Sequence, residues 1–144
     1  MTDTTTSRVE DRRLVRLTAI CLAFPETTRE HGGPHASFLV RNKKFAYYLD
    51  DHHGDGRLAV CIKVEPGENE MLVASDATRF YRPAYIGSQG WVGLRLDLGE
   101  IDWAEVAGLV ADSYCLAAPK RLAALVSALG ELTNARNGWE QGHA

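Results

Sequence analysis

Apolar and polar residues alternate along three short segments in the first half of the chain. The alternating apolar positions are Phe38 and Val40, then Phe45, Tyr47 and Leu49, then Leu58, Val60 and Ile62. A period of two is typical of a strand with one buried face. The intervening residues 41–44 contain Asn, and residues 50–56 are rich in Asp and Gly, which favour turns. The pattern predicts an antiparallel meander of three strands.

Apolar residues spaced three and four positions apart predict four helices around these strands. The stripes are Leu14, Leu17, Cys21 and Phe24; Met71, Leu72 and Ala74; Val106, Leu109 and Val110; and Leu122, Leu125, Val126 and Leu129. Pro25 ends the first helix, which begins near residue 10, and Pro66 and Pro119 begin the second and fourth. Asp102 and Glu105 have the spacing of a capping box at the start of the third helix.

A second hairpin is predicted between the second and third helices. Residues 79–86 and 91–96 form its arms, and Gly87-Ser88-Gln89-Gly90 forms a turn that we expect to lie in solvent. The predicted order is therefore α-β-β-β-α-β-β-α-α. This order is typical of an α+β fold with two layers, an antiparallel sheet and helices on one face of it.

Composition places the chain among ordinary globular proteins. It has 144 residues, 45% of them hydrophobic and 24% charged, which fits one domain. We predict a disordered N-terminus over residues 1–9, a single domain over residues 10–134 and a frayed polar tail over residues 135–144. No apolar run approaches the roughly 18 residues of a membrane helix, and the first residues lack the blocks of a signal peptide. The three cysteines follow neither disulfide nor zinc spacing, so we expect a cytoplasmic protein with no membrane partner.

Sequence motifs for catalysis are missing. The chain has no Walker loop, no Gly-x-Gly-x-x-Gly, no Cys-x-x-Cys and no Gly-x-Ser-x-Gly. No nucleophile and base can be paired from the sequence, so we expect neither enzymatic activity nor a cofactor. The segment from Asp50 to Gly56 holds three Asp and two His residues, but Asp and Gly are also favoured turn formers. We interpret it as a solvated loop without metal, and we interpret His31 and His35 as loop residues that cap or pack.

Positive charge is concentrated in the first half of the chain. Residues 1–63 hold 10 basic and 8 acidic residues, whereas residues 64–144 hold 6 and 11, within a total net charge of −3. A basic hairpin can contact phosphates, although basic residues also protect sheet edges against aggregation. The candidates for nucleic-acid contact are Arg41, Lys43, Lys44, Arg57, Lys63, Arg79 and Arg82.

Aromatic residues offer an alternative kind of site. Tyr85, Trp91 and Tyr114, together with Lys120, are candidates for lining a ligand pocket between sheet and helices. The same aromatic positions also suit the core of a sheet. For Trp91 we predict a ring that is at least partly buried.

Three sequence blocks, in order and spacing, resemble the MmcQ/YjbR family. They are Gly33-Pro34-His35-Ala36-Ser37-Phe38 with Lys43-Lys44-Phe45-Ala46, then Phe80-Tyr81-Arg82-Pro83-Ala84-Tyr85-Ile86-Gly87 with Gly90-Trp91-Val92, then Asp112-Ser113-Tyr114 with Ala118-Pro119-Lys120-Arg121. The resemblance runs from about Arg12 to Leu122. It implies a small cytoplasmic bacterial domain, similar in fold to secretion chaperones, with a DNA-binding-like double-wing arrangement of hairpins. Many members carry Asn-Lys-x-His where this chain has residues 87–90, so one wing tip here lacks a cation.

Two functional hypotheses follow. The first is a non-enzymatic protein that binds DNA weakly and non-specifically through its basic hairpin. The second is a protein that binds or sequesters a small molecule or peptide in the cleft between sheet and helices. The sequence leaves the oligomeric state open.

Overall fold

A six-stranded antiparallel sheet organises the chain in the computed structural model, which describes residues 11–32 and 34–127. The elements in chain order are α1 (Arg12–Leu22), β1 (Thr27–Gly32), β2 (His35–Val40), β3 (Lys43–Asp50), β4 (Leu58–Lys63), α2 (Glu68–Ser75), β5 (Phe80–Tyr81), β6 (Trp91–Arg95), α3 (Trp103–Ala117) and α4, described over residues 120–127. The strand order across the sheet is β1-β2-β3-β4-β6-β5.

The predicted meander of β2, β3 and β4 is confirmed. β2 and β3 are joined by the two residues Arg41 and Asn42, whose φ angles are 51° and 68°. Positive φ at both central positions matches the right-handed twist of the flanking strands, and Asn adopts such angles more readily than most residues. This turn directs the chain into β3 with Lys43 as its first residue.

The helices all contribute to one core with one face of the sheet, as the sequence predicts. Residues from α1, α3 and α4 are buried in this cluster, and Leu72 and Val73 of α2 pack against it. At its centre Tyr114 is fully buried and stacks on Phe24, with ring centroids 4.9 Å apart. Its hydroxyl donates a hydrogen bond to the Pro25 carbonyl at 2.8 Å. The α+β fold class is thereby confirmed.

The first strand, β1, is absent from the predicted order. Its sequence Thr-Thr-Arg-Glu-His-Gly carries no apolar residue, because β1 lies at the edge of the sheet, pairs only with β2 and buries none of its described side chains. Polar edge strands avoid pairing with other chains. The interpretation of His31 and His35 as loop residues is wrong, since they lie in β1 and β2. The packing role expected of His35 does occur, because its Nδ1 accepts a hydrogen bond from the Asp50 amide.

The second hairpin pairs as predicted but has a different shape. β5 is only two residues long, and residues 87–89 form a 3₁₀ turn. Gly87 is buried and its carbonyl accepts a hydrogen bond from Asn69 Nδ2 at 3.0 Å, so the turn expected in solvent is exposed only in part, at Ser88 and Gln89. The capping box is half formed. Asp102 accepts from the Glu105 amide, but the Glu105 carboxylate pairs with Arg79 instead.

The predicted disordered segment over residues 1–9 and the predicted tail over residues 135–144 lie outside the described residues. Within residues 11–32 and 34–127, no helix has both the length and the apolar character that crossing a bilayer requires.

Candidate functional site

Antiparallel pairing collects three lysines at one end of the sheet. Because β3 and β4 run in opposite directions, as do β4 and β6, the start of β3 meets the end of β4 and the start of β6. Lys43 and Lys44 begin β3, Lys63 ends β4, and Trp91 begins β6 directly opposite Lys63. We call Lys43, Lys44 and Lys63 the lysine end of the sheet.

A cavity of about 680 Å³ opens at the lysine end, between the sheet and the last two turns of α3. All three lysines line it, together with Tyr47 and Trp91. The volume lies within the range of about 300–1,000 Å³ that is usual for small-molecule sites. The structure therefore joins part of the predicted nucleic-acid set and part of the predicted pocket set in one cavity, the lysine cavity.

Two aromatic rings form one wall of the lysine cavity. The Tyr47 and Trp91 centroids lie 4.9 Å apart with their planes tilted by 58°. Trp91 is 7% exposed, which confirms the predicted burial, whereas Tyr47 is half-buried. Burial raises the pKa of the Tyr47 hydroxyl above its usual value, so this phenol is neutral. The Lys44 Nζ lies 5.6 Å from the Tyr47 centroid, a cation–π geometry.

Ser113 holds the two lysine-bearing strands to α3. Its Oγ accepts a hydrogen bond from the Lys63 amide at 2.9 Å and donates one to the Phe45 carbonyl at 2.6 Å. The side chain is fully buried, so loss of the hydroxyl removes a partner from a buried carbonyl and from a partly buried amide. Sequence reasoning placed Ser113 only on the edge of its helix. A polar residue beside a buried helical stripe was the available signal.

Asn69 positions another part of the cavity lining. This buried side chain donates from Nδ2 to the Gly87 carbonyl at 3.0 Å and to the Trp91 carbonyl at 3.3 Å. It thereby ties α2 to the loop that carries Ile86 and Gln89, both of which line the lysine cavity. Asn69, Tyr47 and Gln89 were not predicted, because single polar or aromatic residues in these segments follow no motif.

The predicted arginines differ from the lysines because each pairs with a carboxylate. Arg41 pairs with Glu26, Arg57 with Asp55, Arg79 with Asp76 and Glu105, and Arg82 with Glu70. In contrast, the described part of the chain offers no carboxylate within ion-pair distance of Lys43, Lys44 or Lys63, and all three are exposed. Their charges are therefore available to a ligand.

Comparison with known protein families shows which family this chain belongs to. The family model YjbR matches residues 22–116, about two thirds of the chain. The chain belongs to the YjbR family. This confirms the resemblance carried by the three sequence blocks.

A solved structure shares the fold of this YjbR domain. It is the crystal structure of Deinococcus radiodurans protein DR2400, a protein with domain DUF419, and it superposes with a TM-score of 0.59. Sequence identity is 21%, over 72% of this chain and 76% of that chain. No curated protein matches the sequence.

The remaining residues of the predicted pocket set do not line the lysine cavity. Tyr114 is in the core, and Lys120 is exposed at the start of α4 and does not line the cavity. Tyr85 is 77% exposed and precedes Ile86 of the cavity wall. Lys43, Lys44, Lys63 and Trp91 fall inside the matched range, whereas Lys120 falls outside it.

Two observations on the described residues concern nucleophiles and metal ligands. Burial raises the pKa of the Cys61 thiol to about 12, so this sulfur stays protonated and unreactive. Within residues 11–32 and 34–127, His, Cys, Asp and Glu side chains form no group of three or more that could hold a metal ion. The loop between β3 and β4 is mostly exposed and contains a 3₁₀ turn over His52–Gly54. Its freedom from metal stays a prediction.

Proposed function

We propose that this YjbR-family chain is a non-enzymatic cytoplasmic protein that binds DNA weakly and non-specifically through the lysine end. The observation that carries the proposal is the pairing pattern. Three exposed lysines line one cavity and have no ion-pair partner among the described carboxylates, while the arginines predicted for the same role are already paired.

The local positive charge of the three lysines, and not the net charge of the protein, supports DNA binding at the lysine end. The whole protein carries −3, so long-range attraction of a polyanion is weak. Screening at physiological salt confines electrostatic effects to roughly 8 Å, which makes a compact group of cations more effective than the same charges dispersed. Lys43 and Lys44 are adjacent in the chain and share a cavity with Lys63, and lysine ammonium groups bind phosphate as point charges.

Fluorescence anisotropy with a labelled DNA duplex tests the proposal. We expect a dissociation constant of about 10⁻⁴–10⁻⁶ M at physiological salt. The affinity should fall as the salt concentration rises. Lys43→Ala/Lys44→Ala should weaken binding to all sequences and reduce the salt slope by about 0.9 for each lost phosphate contact. Arg12→Ala, which removes one exposed charge from α1 away from the cavity, is the control. A double variant with the affinity and slope of the parent would show that the site is misplaced.

Binding of a small molecule or peptide in the lysine cavity is the second candidate. Tyr47 and Trp91 give the cavity an aromatic wall, and Leu116, 42% exposed, adds an apolar one. Such a ligand should raise the melting temperature of the protein, and above Kd the stabilisation should grow with the logarithm of the ligand concentration. Absence of DNA binding at low salt, together with such a rise, would favour this candidate over the first.

A further inference from the structure

We propose that the lysine cavity accepts one unpaired nucleotide, with its phosphate on the lysines and its base against the aromatic and apolar walls. The protein then binds single strands more tightly than duplexes. This inference rests on the proposed function, because it uses the same three lysines for the phosphate. The ligand chemistry is a phosphate joined to a planar base, either free or as part of a strand.

The shape of the site separates a single strand from a duplex. The lysines line a concavity of about 680 Å³, not a protruding tip. A duplex keeps its bases stacked inside and presents phosphates on its outer surface, so it can reach the rim but not the walls. The bases of a single strand can splay out and enter a pocket.

The lining of the cavity combines cationic and apolar side chains. Lys43, Lys44 and Lys63 supply the first, and Ile86 and Leu116 contribute to the second. The Glu65 carboxylate also lines the cavity and repels phosphate, which directs the anion to the lysines. An anion with an apolar planar body complements this combination better than inorganic phosphate does.

The aromatic wall supplies a surface for the base. Tyr47 is half-buried, and one of its neighbours is the flexible Lys44 ammonium, 5.6 Å from the ring centroid. A base can displace that side chain and leave its charge beside the phosphate. The amides of Asn42 and Gln89 line the same cavity and offer both donors and acceptors to a base edge.

Tyr85 offers a second aromatic surface beside the cavity. It is 77% exposed at a left-handed φ of 69°, a conformation that is strained for a bulky residue. Strain of this kind persists where the surrounding structure holds it and is concentrated at binding sites. Tyr85 directly precedes Ile86 of the cavity wall, and its exposed ring is the surface that we assign to the neighbouring base of a strand.

Competition and direct anisotropy measurements on the full chain test the inference. The probes are a labelled oligothymidylate, a labelled duplex of the same length, thymidine monophosphate and inorganic phosphate. We expect the single strand to bind about tenfold more tightly than the duplex, since stacking adds to the phosphate contacts. Tyr47→Leu should remove this preference, while Tyr47→Phe, which keeps the ring, should retain it. Tyr85→Ala changes an exposed side chain and should reduce the preference without unfolding the protein.

Each outcome separates this inference from the proposed function. Equal affinity for strand and duplex, or equal competition by thymidine monophosphate and inorganic phosphate, overturns the inference and leaves DNA binding by the lysines standing. If thymidine monophosphate binds and the oligonucleotide does not, the nucleotide site is supported and its natural ligand is a free nucleotide. That result overturns the proposed function. Absence of binding by all four probes at low salt overturns both.

Discussion

Three lysines lie at one end of the sheet and three arginines at the other. The second group, which we call the arginine end, comprises Arg57 before β4, Arg79 before β5 and Arg95 at the end of β6. Antiparallel pairing brings these positions together for the same reason that it gathers the lysines. These residues give the two ends the same formal charge of three. The arginines pair with carboxylates, whereas the lysines have no ion-pair partner among the described residues.

At the arginine end each guanidinium forms an ion pair with a carboxylate of the same chain. Arg95 contacts both carboxylate oxygens of Asp97, at 3.0 and 2.9 Å. Arg79 donates to Asp76 at 2.7 Å and to Glu105 at 2.6 Å, and so links the loop after α2 to α3. The planar guanidinium suits such paired contacts. The difference teaches that a basic residue identifies a ligand site only when the fold leaves its charge unpaired.

The largest expected effect tests whether the lysine end is built on a packed aromatic wall. Trp91→Ala should lower the free energy of unfolding by about 3–5 kcal/mol, because a nearly buried ring leaves a cavity behind. Urea denaturation measures the change. Trp103→Ala is the control, since Trp103 is only partly buried, and should cost less. Equal unfolding midpoints for Trp91→Ala and the parent would contradict the assignment.

The next prediction concerns the hydroxyl that anchors the lysine-bearing strands. Ser113→Ala should cost about 1–3 kcal/mol, because the Lys63 amide and the Phe45 carbonyl both lose their buried partner. Ser75→Ala removes an exposed hydroxyl that bonds the Leu72 carbonyl and serves as the matched control. If the two variants have the same melting temperature, Ser113 does not stabilise the lysine end.

A charge-matched pair of variants tests the comparison directly. Lys43→Ala/Lys44→Ala/Lys63→Ala and Arg57→Gln/Arg79→Gln/Arg95→Gln each remove three positive charges. We expect the lysine variant to lose about tenfold or more in DNA affinity, about 1.4 kcal/mol, and to keep its stability. The arginine variant should lose stability and keep most of its affinity at low salt. Equal losses of affinity would show that net charge, not pairing, governs binding.

The smallest effect is the pH dependence of the arginine end. Hydrogen bonds from Arg79 hold the pKa of the Asp76 carboxyl below its usual value. A lowered pKa in the folded state contributes stability above the unfolded pKa, which is lost as the pH falls through the folded value. The difference in melting temperature between the parent and Arg79→Gln should therefore be present at pH 7 and shrink below about pH 4. A difference that grows in acid would contradict this pairing.

Strong local patterns explain which elements could be predicted. The meander and the first and third helices follow from apolar period, and the turn at Asn42 follows from its tolerance of positive φ. β1 escaped prediction because an edge strand buries no described side chain and needs no apolar period. The 3₁₀ turn over Gly87–Gln89 escaped because Asn69, far away in the chain, holds it.

The sequence by itself determined the fold class, the family resemblance and the set of residues able to meet a phosphate. It could not separate Lys43 and Lys44 from Arg41 or Arg79, because all carry the same charge in solution. The tertiary structure made that division by bringing Glu26 to Arg41 and Glu105 to Arg79, and no described carboxylate to the lysines. It also joined Lys63 and Trp91 to the β2–β3 turn, since the partners of a β-ladder are chosen by packing across the sheet and not by proximity in the chain.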